Sequence, residues 1–155
     1  MLNTKFFVLF TGVFLSVFSS YSYSGYSYAN QRKTPKQQFV SPVNSDSALV
    51  QALNSKRNVT YLEAANLVVV ELLPDDTSGR EHQKFVTKLS TGQTVQIISN
   101  LDMCQKIPVR VGDVVSVGGE FIWTKFGGLV HWVHYDPRKI RKDGYILYNG
   151  NLYCR

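Results

Sequence analysis

The chain has 155 residues, a formal net charge of +6, and side chains that are 44% hydrophobic and 18% charged. That length accommodates one domain of ordinary size and excludes a large multidomain enzyme or a long repeat array. Three histidines and two cysteines cannot build several zinc sites.

Lys5 precedes an apolar run from Phe6 to Phe18, broken only by Thr11, Gly12 and Ser16. The run is too short to span a bilayer, and small residues follow it at Ser22/Ser24 and Ser27/Ala29. Residues 1–29 therefore read as a secretory signal, cut between about Ser19 and Ala29. The expected destination is the periplasm or the exterior, with no membrane span once the signal is gone. Nine of the aromatic residues (five Phe, four Tyr) and one charge, Lys5, lie in this segment, so the mature chain carries +5. A mildly basic surface favours acidic partners without choosing between nucleic acid and anionic glycan.

Residues 30–45 are polar, contain Pro35 and Pro42, and read as a disordered leader. Residues 46–65 read as a short helix and a linker: Asp46 is placed as the N-cap, and Leu49, Ala52 and Leu53 share one helical face. From Asn66 the pattern is that of strands. The first runs from Leu67 to Leu73 and is stopped by Pro74-Asp75-Asp76. A second covers His82 to Leu89, with Phe85, Thr87 and Leu89 alternating with Lys84 and Lys88, and Ser90-Thr91-Gly92 turns the chain into a third from Thr94 to Ser99. The fourth spans Val114 to Trp123, where Gly118-Gly119 signals a bulge or bend. Gly127-Gly128 leads into the fifth, from Leu129 to Tyr135, ended by Pro137. A last hairpin from Tyr145 to Tyr153 turns at Asn149-Gly150, a type I′ pair.

These elements make an all-β domain over residues 66–155 with small helical content. Five strands, a connection after the third and a bend in the fourth fit an OB-like Greek-key barrel, flanked by the short N-terminal helix and the C-terminal hairpin. A small open sheet or an SH3-like barrel is the alternative. Cys104 and Cys154 are the only thiols. In an exported protein they read as a disulfide, with two free buried thiols as the alternative.

The stretch from about Asn66 to Arg155 resembles an uncharacterised bacterial family of small exported proteins, a domain of unknown function. The carriers are Leu73-Pro74-Asp75-Asp76, Gly79-Arg80-Glu81-His82-Gln83-Lys84-Phe85, Gly112-Asp113 with Gly119-Glu120-Phe121, Gly127-Gly128, His131-Trp132-Val133-His134-Tyr135-Asp136-Pro137, and Gly144-Tyr145-Ile146. The family often has a further histidine before the final glycine; here Arg138 to Lys142 stand instead. The resemblance implies no established activity.

The residues themselves point to one pole. In an OB-type order the end of the first strand, the start of the second, and the ends of the third and fifth converge. That would collect Asp75, Asp76, Arg80, His82, Asn100, Asp102, His134 and Asp136. Strand parity sends Trp132, His134 and Asp136 to one side, and His131, Val133 and Tyr135 to the other. His82, His134 and Asp136 are then a candidate ligand set for a divalent metal, with Asp76 a further catalytic candidate; alternatively Asp136 orients the His134 ring. For a polymer ligand the candidates are Arg80, Trp132, Tyr135, Arg138, Lys139, Arg141 and Lys142.

Three functions are compatible with this pattern. The leading one is a binding module for an acidic polymer, either oligosaccharide or oligonucleotide. The others are a metal-dependent hydrolase of the phosphodiesterase or nuclease type, and a structural protein of the envelope. Export has a direct check. Intact-mass measurement on protein from the native envelope fraction is expected to show loss of the first 19 to 29 residues or so; a mass that retains Met1 contradicts it.

Overall fold

The computed structural model describes residues 44–76 and 79–155, and the expected signal and residues 30–43 of the leader lie outside them. The elements are α1 (Ser47–Ser55), β1 (Val59–Asp76), β2 (His82–Lys88), β3 (Thr94–Asn100), β4 (Val114–Thr124), β5 (Gly127–His131), β6 (Tyr145–Tyr148) and β7 (Asn151–Tyr153). Among the described residues no helix is long and apolar enough to cross a membrane.

Five strands close a ring. β2 pairs antiparallel with β1 and β3, β4 pairs antiparallel with β1 and β5, and β3 and β5 meet in parallel through Gln96↔Leu129 and Ile97↔Val130. Three hairpin-ordered strands with β4 returning beside β1 make a Greek key. The expected all-β class, short helix, five-stranded barrel and C-terminal hairpin are all present. Period-two alternation drives the closure. Phe85 and Thr87 of β2, Val95 and Ile97 of β3, and Val115, Val117 and Phe121 of β4 are buried, while Val86, Gln96, Ser116 and Glu120 between them are only partly so.

One pole of the barrel is covered by α1, whose Leu49, Ala52 and Leu53 are buried as expected. Asp46 occupies the N-cap position but its carboxylate makes no cap. It accepts hydrogen bonds from the Ser90 amide at 2.6 Å and the Ser90 hydroxyl at 3.0 Å, so it fastens the helix start to the β2–β3 turn. The far end of the helix rests on the β4–β5 hairpin, where any side chain on Gly128 would meet Leu53 and Phe121. α1 thus closes the turn end of the barrel, and among the described residues no element covers the opposite end.

Several boundaries differ from the expected ones. β1 starts at Val59, inside the expected linker, and continues through Pro74 to Asp76. Its pairing with β4 is interrupted between Ala64 and Leu67, where Asn66 has φ +62°, and this irregularity hides the alternation. Asn44 and Ser45, expected in the leader, accept hydrogen bonds from the Asn66 side chain and the Ala65 amide. Gly118 and Gly119 themselves pair with β1, through Glu63↔Gly118 and Leu62↔Gly119, and the register irregularity lies next to them, between Leu62↔Gly119 and Val59↔Phe121. The pair admits close neighbours, since a Cβ on Gly118 would collide with the Tyr145 ring and one on Gly119 with the His131 carbonyl. It also marks where β4 changes partner, from β6 before it to β5 after it. The C-terminal hairpin turns as expected, with Asn149 and Gly150 at φ +48° and +73°.

The β3–β4 connection is held by two fastenings. The buried Gln83 amide accepts from the Ile107 amide at 2.8 Å and donates to the Ile107 carbonyl at 2.7 Å. Cys104 and Cys154 form the expected disulfide, 50 positions apart. A loop of that length contributes roughly 4 kcal/mol in the chain-entropy account. The double variant Cys104→Ser/Cys154→Ser is expected to lose most of that in urea unfolding. An unchanged urea midpoint contradicts a stabilising role.

Candidate functional site

At the pole opposite α1 the exits of β1, β3 and β5 surround a cleft of about 540 Å³. Its lining residues are Arg80, His82, Asn100, Asp102, Met103, His131, Trp132, His134, Pro137 and Arg138. The convergence expected for Arg80, His82, Asn100, Asp102 and His134 is found. Three expected members are elsewhere. Asp75 lines a separate groove and pairs with Lys106. Asp76 stands behind His82 and Asp136 is folded into a loop.

Asp76 positions His82. Its carboxylate accepts the His82 backbone amide at 2.7 Å and contacts the imidazole Nδ1 at 3.2 Å, with the Lys84 ammonium 3.6 Å from the second oxygen. Burial opposes ionisation of this carboxyl, but the His82 amide and the Lys84 and His82 charges outweigh it and hold its pKa below the usual carboxylate value. An ionised carboxylate only accepts, so Nδ1 of His82 carries the proton. The His82 ring lies 5.8 Å from that of His131.

The parity expected for His131 to Tyr135 does not apply. β5 ends at His131, and Trp132 takes φ +54°, a left-handed conformation that a bulky residue rarely adopts. The backbone reversal brings His131, expected on the opposite face, into the same cleft as His134. Burial lowers the His131 pKa first, then the neighbouring His82 and His134, with Glu120 acting the other way. His131 is therefore neutral under mild conditions. His134 is buried, and its Nδ1 lies 2.6 Å from the Tyr135 carbonyl. That carbonyl can only accept, so Nδ1 carries a proton.

Trp132 stacks with its indole 4.7 Å from the His134 ring and beneath the Arg141 guanidinium at 4.6 Å. Its Nε1–H is buried without a hydrogen-bond partner. The Tyr135 ring is exposed and meets His134 edge-on at 6.4 Å.

The basic stretch does not act as one patch. Arg138 lines the cleft. Arg141 is 2.9 Å from the Glu120 carboxylate, and Lys142 is 3.4 Å from Glu63 and lies over the Tyr61 ring at 4.0 Å. Lys139 is exposed in the loop with φ +53°, outside the cleft lining. Two of the four cations are therefore neutralised within the chain.

Asp136 explains the loop itself. Its two carboxylate oxygens accept the backbone amides of Arg138, Ile140 and Arg141 at 3.1, 2.8 and 2.7 Å, and its own amide donates to Asp143 at 2.8 Å. The loop ends are joined where the Gly144 amide donates to the His134 carbonyl at 2.8 Å. Gly144 is required there because a Cβ would collide with the Trp132 carbonyl and the Gly118 carbonyl. The set His82, His134 and Asp136 is thus not assembled, since the Asp136 carboxylate is spent on backbone amides. Among the described residues no three His, Cys, Asp or Glu side chains stand close enough together to hold a metal ion.

The Arg141 amide, with burial opposing it and the Arg138 and Ile140 amides assisting, lowers the Asp136 pKa. A depressed folded-state pKa means the stabilisation is complete above the ordinary carboxylate value and is lost as pH falls through the folded one. Asp136→Asn is expected to lower Tm by several degrees at neutral pH and to flatten the acid side of the stability profile. An unchanged Tm, or an unchanged acid limb, contradicts the role given to Asp136.

No curated protein and no solved structure gave a match to this chain. A family described as "Protein of unknown function (DUF3465)" matches residues 36–154, which takes in α1 as well as the barrel. The chain therefore belongs to that family.

Proposed function

We propose that the protein is an exported binding module, and that an acidic oligomer occupies the cleft at the free pole of its barrel. The observation that carries this reading is the composition of the cleft. Two arginines, Arg80 and Arg138, outnumber the one lining carboxylate, Asp102, and stand beside an aromatic wall of Trp132 and three imidazoles. Cations neutralise backbone phosphates or sulfates while flat rings accept bases or sugar faces. The ring order β1-β2-β3-β5-β4 supports an OB-like barrel, an architecture whose strand face and loops take oligonucleotides and oligosaccharides. That likeness is an analogy of architecture, and function lies in the residues of the site rather than in the fold.

Between the two polymers the aromatic wall favours a single-stranded oligonucleotide, because stacked indole and imidazole rings match exposed bases. Binding of a labelled single-stranded DNA 12-mer at low salt, followed by fluorescence anisotropy, checks this. Trp132→Ala is expected to weaken binding by about 1–3 kcal/mol. Arg138→Ala should reduce the slope of log K against log salt by about one. Lys142→Ala should change little, since that ammonium sits on Glu63 and Tyr61. Absence of binding to the DNA strand and to a sulfated glycan alike contradicts the proposal.

A further inference from the structure

The cleft holds two imidazoles whose hydrogen-bonding partners differ in kind, and this difference assigns them different chemical parts. His134 donates its Nδ1 proton to a neutral carbonyl, that of Tyr135, so Nε2 is the nitrogen left for a substrate. His82 gives its Nδ1 proton to the Asp76 carboxylate. A carboxylate stabilises the charge of a doubly protonated ring more than a neutral carbonyl does. Both rings line one cleft with Arg80 and Arg138. Among the described residues the lining contains no serine, threonine, cysteine, tyrosine or lysine. A substrate that brings its own nucleophile would need only a base, an acid and cations from such a lining.

One substrate class meets all these conditions. A ribonucleotide phosphodiester carries its own nucleophile, the 2′-hydroxyl, next to the phosphorus it attacks. It needs a base, an acid and cations for the phosphate, and it offers a base to stack on Trp132. We propose that the cleft catalyses transesterification of single-stranded RNA, with His134 as the general base and His82 as the general acid. This rests on the oligonucleotide-binding reading above. His134 Nε2 takes the 2′-hydroxyl proton as the 2′-oxygen bonds to phosphorus. The bond from phosphorus to the 5′-oxygen breaks, and the His82 Nε2 proton passes to that oxygen. The products are a 2′,3′-cyclic phosphate and a free 5′-hydroxyl. No electrons are exchanged with another reagent, and the two rings return to their starting states by exchanging protons with water. Arg80 and Arg138 face the non-bridging oxygens, where charge develops.

The test uses the full mature chain with its disulfide intact and EDTA present. The substrate is a DNA oligonucleotide carrying one central ribonucleotide, and the all-DNA strand of the same sequence is the binding control. Cleavage at the ribonucleotide is expected, with a 2′,3′-cyclic phosphate end identified by mass spectrometry and a bell-shaped pH–rate profile. His82→Asn and His134→Asn should each slow cleavage by about a hundredfold or more. Their loss of cleavage should exceed any loss of affinity for the all-DNA strand by about tenfold or more, a split that a purely structural role would not produce. The product end and pH profile of the unaltered protein stand even if a variant unfolds. No cleavage of a strand that binds overturns the activity and leaves the binding module in place. Failure to bind either strand overturns both. Cleavage that survives both substitutions in folded protein, or that yields a linear phosphate end, overturns the assignment of His82 and His134.

Discussion

The short parallel contact between β3 and β5 is the constraint on which the rest depends. Only Gln96↔Leu129 and Ile97↔Val130 make it, but it closes the ring. Because the two strands run the same way, their exits lie at the same pole. Asn100 to Met103 therefore stand beside His131 to His134, and β2, antiparallel to β3, brings His82 to the same place through His82↔Asn100. An antiparallel β3–β5 contact would send the two exits to opposite poles and leave the histidines apart. The other pole is occupied by α1, fastened by Asp46 to Ser90. The barrel therefore has one filled end and one available end.

Within the available end, local backbone devices do the positioning. Trp132 reverses the chain at φ +54°, Gly144 lies against the Trp132 carbonyl, and Asp136 gathers three amides. These contacts depend on one another. The left-handed conformation at Trp132 is costly on its own, on the order of 1–3 kcal/mol, and persists only where its surroundings over-determine it. Gly144 and the Asp136 loop are those surroundings. Strain held at the residue that forms the aromatic wall is consistent with a wall shaped for a ligand rather than for the barrel core, which is complete without it.

Much of the barrel was legible because its strands obey period two. Phe85, Thr87, Val115, Val117 and Phe121 alternate cleanly, and Asn149-Gly150 carries its turn type in its composition. The start of β1 was not legible, because Asn66 interrupts the alternation and a local break reads like a linker. The pole was legible from topology, which is why Arg80, His82, Asn100, Asp102 and His134 were placed together. His131 was missed for a specific reason. Val130 to Tyr135 continues a plausible strand pattern, and nothing about a tryptophan announces a left-handed backbone; its cause, the close approach of Gly144, lies twelve positions further on. Asp136 was misassigned although a signal existed. Asp-Pro initiates turns, and a carboxylate there serves the amides that follow it before it serves a metal.

The central claim is that His82, His131 and His134 share one cleft and that an acidic strand enters it. Long-range ¹H–¹⁵N spectra of the imidazoles, recorded while a single-stranded oligonucleotide is added, address it most directly. The account expects His134 in the Nδ1-protonated form before addition, and all three rings shifting together along one binding curve. Rings that titrate separately, or three unmoved histidines while the strand binds, would contradict it.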